Sequence, residues 1–266
     1  MIICKSAAEL EGMRQSSRLV AQILDELMPL VRPGIRTRDL DLYAEKRTSE
    51  LGGAPAFKGY RGYPASVCVS VNEEVIHGIP SGRVLEDGDI VSLDFGVLYE
   101  GFYSDSAVTV PVGRASEGAG RLIESAERAF YRGFEQVREG NRLSDISAAV
   151  QRSVEADGFS VIRQFVGHGI GRSLHEDPQI PNFGAPGRGP KLKPGMTLAI
   201  EPMIAMGAYE VDVLEDGWTA VTRDHSLSAH YEHTVALTEN GPEILSARAR
   251  DAAAARPPFA KEGPHA

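Results

Sequence analysis

The chain has only two cysteines, Cys4 and Cys68, and they fit no paired-spacing motif. That excludes a disulfide framework and leaves two free thiols, as suits a reducing compartment. Long apolar runs are missing too. None approaches the roughly 20 residues a membrane helix needs, and Met1-Ile-Ile-Cys4-Lys5 has no signal-peptide architecture, so a cytoplasmic location is expected. Excess positive charge is the third absence. Lys and Arg number 28 against 37 Asp and Glu, for a net charge of −9, which argues against a broad grip on nucleic acid phosphates. With 42% apolar residues in 266, a substantial core is available.

What is present is an internal duplication. Leu85-Glu-Asp-Gly-Asp-Ile-Val-Ser-Leu-Asp94 and Leu192-Lys-Pro-Gly-Met-Thr-Leu-Ala-Ile-Glu201 each end an apolar strand pattern on a carboxylate, at an offset of 107 (201 − 94). Upstream, Val31-Arg32-Pro-Gly34-Ile-Arg36 and Asp39 align with Val137-Arg138-Glu-Gly140-Asn-Arg142 and Asp145 at an offset of 106. Repeated units facing one another would bring the two acids together across a seam.

The elements repeat as well. Ser6 and Glu9 have capping-box spacing ahead of an apolar periodicity that predicts a helix to Leu27, and Thr37 is expected to cap a second helix ending near Leu51. The second half predicts a matching pair near Glu117 to Arg138 and Ser144 to Asp157. Strand patterns fall at Val67 to Val71, Ile90 to Val97, Phe102 to Val110, Thr197 to Ile200, Tyr209 to Leu214, Trp218 to Val221 and His230 to Leu237, with an extra hairpin around Asp216-Gly217. Helices, strands, helices, strands is the order of an α+β layer arrangement on a curved, largely antiparallel sheet. Residues 1–250 are expected to form a single domain with halves near 1–112 and 113–250, and residues 251–266 a disordered tail.

The chemistry centres on one hairpin. With Leu98 to Gly101 as the loop, Asp94 would face Asp105 directly, at roughly 4.5–5.5 Å between Cβ atoms. Like charges so placed need neutralising, either by protonating one acid or by a divalent cation. Glu201, held extended by Pro202, and Glu232, on a strand, are their counterparts, and Gly167-His168-Gly-Ile-Gly171 adds an imidazole on a backbone able to approach a ligand closely. Four carboxylates and one imidazole suit two cations about 3.5–4 Å apart better than one. Other chemistries lack their partners. Asp177-Pro178 follows His175-Glu176 where a zincin helix needs a second His, His230-x-Glu232 lacks the Cys pair of a zinc deaminase, and the glycines at 167–171 lack dinucleotide spacing. His225, His230, His233 and His265 are read as packing or surface residues.

Taken in order, His77-Gly-Ile-Pro80, Asp94-x-Gly96, Gly101 with Asp105, Gly167-His168-Gly-Ile-Gly171 with His175-Glu176, Glu201-Pro202 and Tyr231-Glu232-His233-Thr234 resemble the type I methionine aminopeptidases, in their short bacterial form, over nearly the whole chain. The resemblance implies the pita-bread fold, two pseudo-twofold-related αβ halves with helices outside a curved antiparallel sheet. It implies Asp94, Asp105, His168, Glu201 and Glu232 as ligands of two divalent ions (Co, Mn, Fe or Zn). The implied reaction is removal of the initiator methionine from nascent chains, with a small second residue, by a hydroxide bridging the ions. Glu201 would shuttle the proton, His175 would stabilise the oxyanion, His77 would bond near the scissile nitrogen, and Tyr60, Tyr63, Cys68, Leu174 and Trp218 would wall the methionine pocket. Asn72 and Ser228 resemble part of a monovalent-cation site. Phe57 and Leu174 depart from the residues common in relatives. A monomer with transient ribosome association, no membrane and no specific nucleic acid is implied. The alternatives are a proline-directed peptidase of the same fold, whose members usually carry a large extra N-terminal domain, and a noncatalytic binding protein.

Overall fold

The structure, a computed structural model, describes residues 1–249 and 251. Among the described residues four long α-helices form two pairs, α1 (Ala7–Leu27) with α2 (Thr37–Glu50), and α3 (Glu117–Phe134) with α4 (Leu143–Ala156). Ser6 and Glu9 make the expected capping box on α1. Thr37 does not cap α2. It is the first helical residue, and its hydroxyl donates to the Ser81 carbonyl, while Asp39 reaches back to the Arg36 amide. Asp145 does the same for Arg142 at the start of α4.

The strands are β1 (Ala54–Pro55), β2 (Cys68–Val71), β3 (Glu74–Ile76), β4 (Ile90–Tyr99), β5 (Phe102–Pro111), β6 (Ser160–Val161), β7 (Gly167–Gly169), β8 (Glu176–Ile180), β9 (Thr197–Ile200), β10 (Met203–Ala205), β11 (Val211–Val213), β12 (Ala220–Thr222), β13 (Ser228–His230), β14 (Glu232–Thr238) and β15 (Gly241–Ile244). Nine of them build one antiparallel sheet in the order β1-β4-β5-β14-β9-β7-β8, with β2 added on β4 and β15 on β14. The predicted hairpin is β11 with β12, closed by Gly217 at φ 76°. The expected run from His230 to Leu237 breaks at Tyr231, so that β13 pairs with β10 and β14 joins the large sheet.

The duplication is visible in the backbone. The Gly34 amide donates to the Leu85 carbonyl and the Gly140 amide to Leu192, and the bridges Arg36 to Val84 and Arg142 to Lys191 correspond. Gly34 and Gly140 share a positive φ (91° and 88°), a conformation that costs glycine nothing. One main apolar core lies between sheet and helices, from Val20, Leu24 and Leu27 of α1 through Leu93 and Phe95 of β4 to Leu122 and Phe130 of α3 and Ile146 of α4. Its burial is the chief driving force for folding.

The β4-β5 register differs from the expectation. Tyr99 pairs with Phe102 around a two-residue turn in which Glu100 and Gly101 both have positive φ, so Asp94 faces Ala107 and Gly96 faces Asp105. Such tight turns match the twist of the flanking strands better than the four-residue loop. The shift is by two residues, so both acids keep the same face as diagonal neighbours. Asp251, assigned to the tail, is buried and accepts hydrogen bonds from Arg248 and Tyr231. Residues 252–266, including His265, lie outside the described residues.

Candidate metal centre

A row of acids crosses the large sheet. Ala107 of β5 stands between Asp94 of β4 and Glu232 of β14, with Asp105 two residues along on the same face. On the other side of β14, His233 pairs with Ile200, which brings Glu201, just past the end of β9, beside Glu232. His168 enters from β7, paired with Ala199. The glycines beside it are a packing requirement. A Cβ on Gly167 would lie 2.4 Å from the Ala199 carbonyl oxygen, and one on Gly169 2.1 Å from that of Asp177. Gly96, opposite Asp105, leaves room for the Phe57 ring.

All five candidate ligands are buried. Donor atoms of Asp105, His168 and Glu232 lie within 4.8 Å of one another, and His168 Nε2 is 3.5 Å from Glu201 Oε1. Asp94 Oδ1, Asp105 Oδ1 and Glu232 Oε1 are buried without a hydrogen-bond partner. Burial, and then the neighbouring acids, raise the carboxyls of Asp94, Glu201 and Glu232 well above the usual range, and burial lifts Asp105 to about 7. Burial, and then the neighbouring His175 ring, lower His168 to about 3, so it is a neutral imidazole. Its Nδ1 bonds the Gly169 carbonyl at 2.8 Å, which sets the tautomer and turns the Nε2 lone pair toward the acids. Orphaned anionic oxygens in a dry site are costly unless a cation takes them up, and the mixed nitrogen and carboxylate set suits Mn, Fe, Co or Zn. The residues therefore fit divalent metal.

These groups line a cavity of about 420 Å³ together with Tyr60, Tyr63, Cys68, Leu174 and Trp218, so the structure unites every pocket wall named from the sequence with every candidate ligand. His77, His175 and Phe57 line it too. The His175 ring is stacked on Tyr60, whose hydroxyl lies 2.9 Å from His175 Nδ1. Burial, then Arg61, lowers His175 to about 4, and burial, then His175, does the same for His77. His77 holds a positive φ of 62° and packs edge-on against Phe165 and Trp218. Asn72 and Ser228 lie apart from these groups, with the Ser228 amide donating to the Asn72 carbonyl.

Sequence reasoning missed Gln164, Phe165 and Gln179, which line the side of the cavity around His168. Their place next to His168 on β7 and its partner β8 was the available signal. It also passed over His230, 1% exposed, whose Nε2 is 4.0 Å from both Glu201 Oε2 and Glu232 Oε2. Its spacing of two from Glu232 on a strand pattern was the clue. His233 is buried in a separate network with Ser246, Tyr231 and Arg248, and His225 sits on the exposed side of a turn.

Comparison with known proteins agrees with this geometry. The profile of metallopeptidase family M24 matches residues 11–239. A protein of Clostridium perfringens named methionine aminopeptidase is 56% identical over 246 residues, covering 92% of this chain and 99% of its own length. A crystal structure of methionine aminopeptidase from Thermotoga maritima superposes with a TM-score of 0.91 at 48% identity, covering 92% of this chain and 99% of that one. Prolidase from Pyrococcus furiosus shares the fold at a TM-score of 0.76 and 23% identity, covering 92% of this chain and 65% of that one.

Proposed function

Because the chain belongs to metallopeptidase family M24, we propose that its cavity binds the N-terminal methionine of a polypeptide and that its acid cluster serves the hydrolysis which releases it. The protein is a metal-dependent methionine aminopeptidase acting on nascent chains in the cytoplasm, with a preference for a small second residue. One observation carries this reading: the cation cage and an apolar and aromatic pocket open into one cavity.

Two divalent ions held by Asp94, Asp105, His168, Glu201 and Glu232 would supply Lewis-acid polarisation of the scissile carbonyl and of the attacking water. The side chain of the substrate methionine packs among Tyr60, Tyr63, Cys68, Leu174 and Trp218, where apolar burial rewards a flexible thioether. With the Tyr60 hydroxyl donating to Nδ1, neutral His175 carries its proton on Nε2 and donates to the oxyanion. His77, fixed between Phe165 and Trp218, donates near the scissile nitrogen. Glu201, raised by burial and by Asp94 and Asp105, can hold a proton and pass it to the leaving amine.

The test is turnover of Met-Ala-Ser against Ala-Pro-Ser by cation-stripped protein reloaded with Mn²⁺ or Co²⁺. Release of methionine that stops with chelator is expected. Cleavage of Ala-Pro-Ser alone would point to a proline-directed peptidase, and no cleavage with any divalent ion to a noncatalytic binding protein.

A further inference from the structure

His230 stands in a position that the reading above leaves without a role. It is 1% exposed, and neither ring nitrogen has a hydrogen-bond partner. His230 Nε2 is 4.0 Å from Oε2 of both Glu201 and Glu232, and Glu201 is the one that lies between two imidazoles, its Oε1 being 3.5 Å from His168 Nε2. Among the described residues no group donates a hydrogen bond to that carboxylate, although Asn182 Nδ2 fixes the Glu201 main-chain carbonyl at 2.9 Å.

We propose that His230 is a positioning residue for Glu201, donating from Nε2 to Oε2 on the side away from His168 and so fixing the carboxylate plane. The proposal rests on the metallopeptidase reading, since an oriented Glu201 matters for holding a cation and for moving a proton. The His230 main chain is pinned. Its amide donates to Thr109 Oγ1 and its carbonyl accepts from the same hydroxyl, each at 2.8 Å, while β13 pairs it with Met203. Only the side chain is free to adjust, and a shift of about 1 Å brings Nε2 within hydrogen-bond range of Oε2. An ionised carboxylate is an acceptor only, so the complement it needs is an N–H, which the neutral Nε2–H tautomer and the imidazolium both provide. The alternative of leaving a buried imidazole unpaired is costly. Hydrogen bonds of this kind to ligating groups set ligand orientation and hence cation affinity.

The experiment compares wild-type protein, His230→Leu and His230→Gln, each stripped of cations and titrated with Mn²⁺ by calorimetry, then assayed on Met-Ala-Ser. His230→Leu is expected to weaken Mn²⁺ binding by about 10-fold or more and to lower kcat far more than it changes KM. The amide of His230→Gln can still donate, and this variant should recover most of the Mn²⁺ affinity. Wild-type affinity in His230→Leu would overturn the proposal. A loss in His230→Gln as large as in His230→Leu would overturn it too, since a nitrogen bound directly to the cation is not replaced by an amide. Should His230→Leu fail to fold, His230→Met against His230→Gln is read in the same way. If wild-type protein binds Mn²⁺ and releases no methionine, the peptidase reading fails while the order of affinities still decides the role of His230.

Discussion

His168 Nε2 and Glu201 Oε1 lie 3.5 Å apart, with the imidazole proton held on Nδ1 by the Gly169 carbonyl. A lone pair and a carboxyl oxygen face the same point, an arrangement that a bound cation would satisfy. Glu201→Gln keeps the size of the side chain and removes its ability to take a proton. Turnover should fall by about 10²–10⁴-fold, while most of the rise in Tm on adding Mn²⁺ survives through the other four ligands. Undiminished kcat would remove Glu201 from proton transfer.

The acids also make the cation-free protein sensitive to pH. Asp105, raised to about 7, and the more strongly raised Asp94, Glu201 and Glu232 bind protons more tightly folded than unfolded. Their contribution is fully present below the unfolded value and is lost as pH rises through the folded ones. Buried His168 and His230, both lowered to about 3, act with the opposite sign, but only between about pH 3 and their unfolded value near 6.5. Above pH 6.5 the acids act alone. The Tm of stripped protein should therefore fall between about pH 6.5 and 8.5, and Mn²⁺ should flatten that slope. A flat profile without cation would show that the acids are not crowded in solution.

Cation removal provides a third measurement. A ligand at 100 times its Kd stabilises by about 2.7 kcal/mol, equivalent to roughly 5–10 °C in a domain of this size. Dialysis against chelator should lower Tm by that order and abolish methionine release, and readdition of Mn²⁺ should restore both. Recovery of one without the other would separate the structural cation from the catalytic one.

Gly169 tests the scaffold. Gly169→Ala would drive a Cβ into the Asp177 carbonyl at the junction of β7 and β8, between His168 and the His175 loop. Neither backbone can yield without moving those two histidines. A loss of about 1–3 kcal/mol, as for overpacked cores, should accompany a marked loss of Mn²⁺ affinity in a calorimetric titration.

Behind the acids, Arg248 is fully buried, pairs with Asp251, stacks over Tyr231 and donates to the Ala107 carbonyl between Asp94 and Glu232. Arg248→Met would leave Asp251 without this charge partner, and breaking a buried pair costs about 3–5 kcal/mol. A fall in Tm of about 10 °C by scanning calorimetry is the expected result. A change within about 2 °C would mean that the network is not holding β5 to β14.

Much of this site is written in residue identity and spacing. Alternation along a strand puts Asp94 and Asp105 on one face whichever hairpin register is adopted, because both registers differ by an even number of residues. The duplication paired Asp94 with Glu201, and glycines flanking His168 signalled close backbone packing. The sequence alone thus determined the candidate ligands, the repeated halves and the helix starts that rest on local capping. The tertiary structure decided whatever depends on contacts between distant segments. It selected the two-residue turn that moved Asp94 opposite Ala107, broke the final strand at Tyr231, and turned His230 inward beside Glu201. It also folded Asp251 against Arg248. Strand periodicity names a face but not the neighbour on it, because the partner across a sheet is chosen by packing and turn geometry summed over the whole fold.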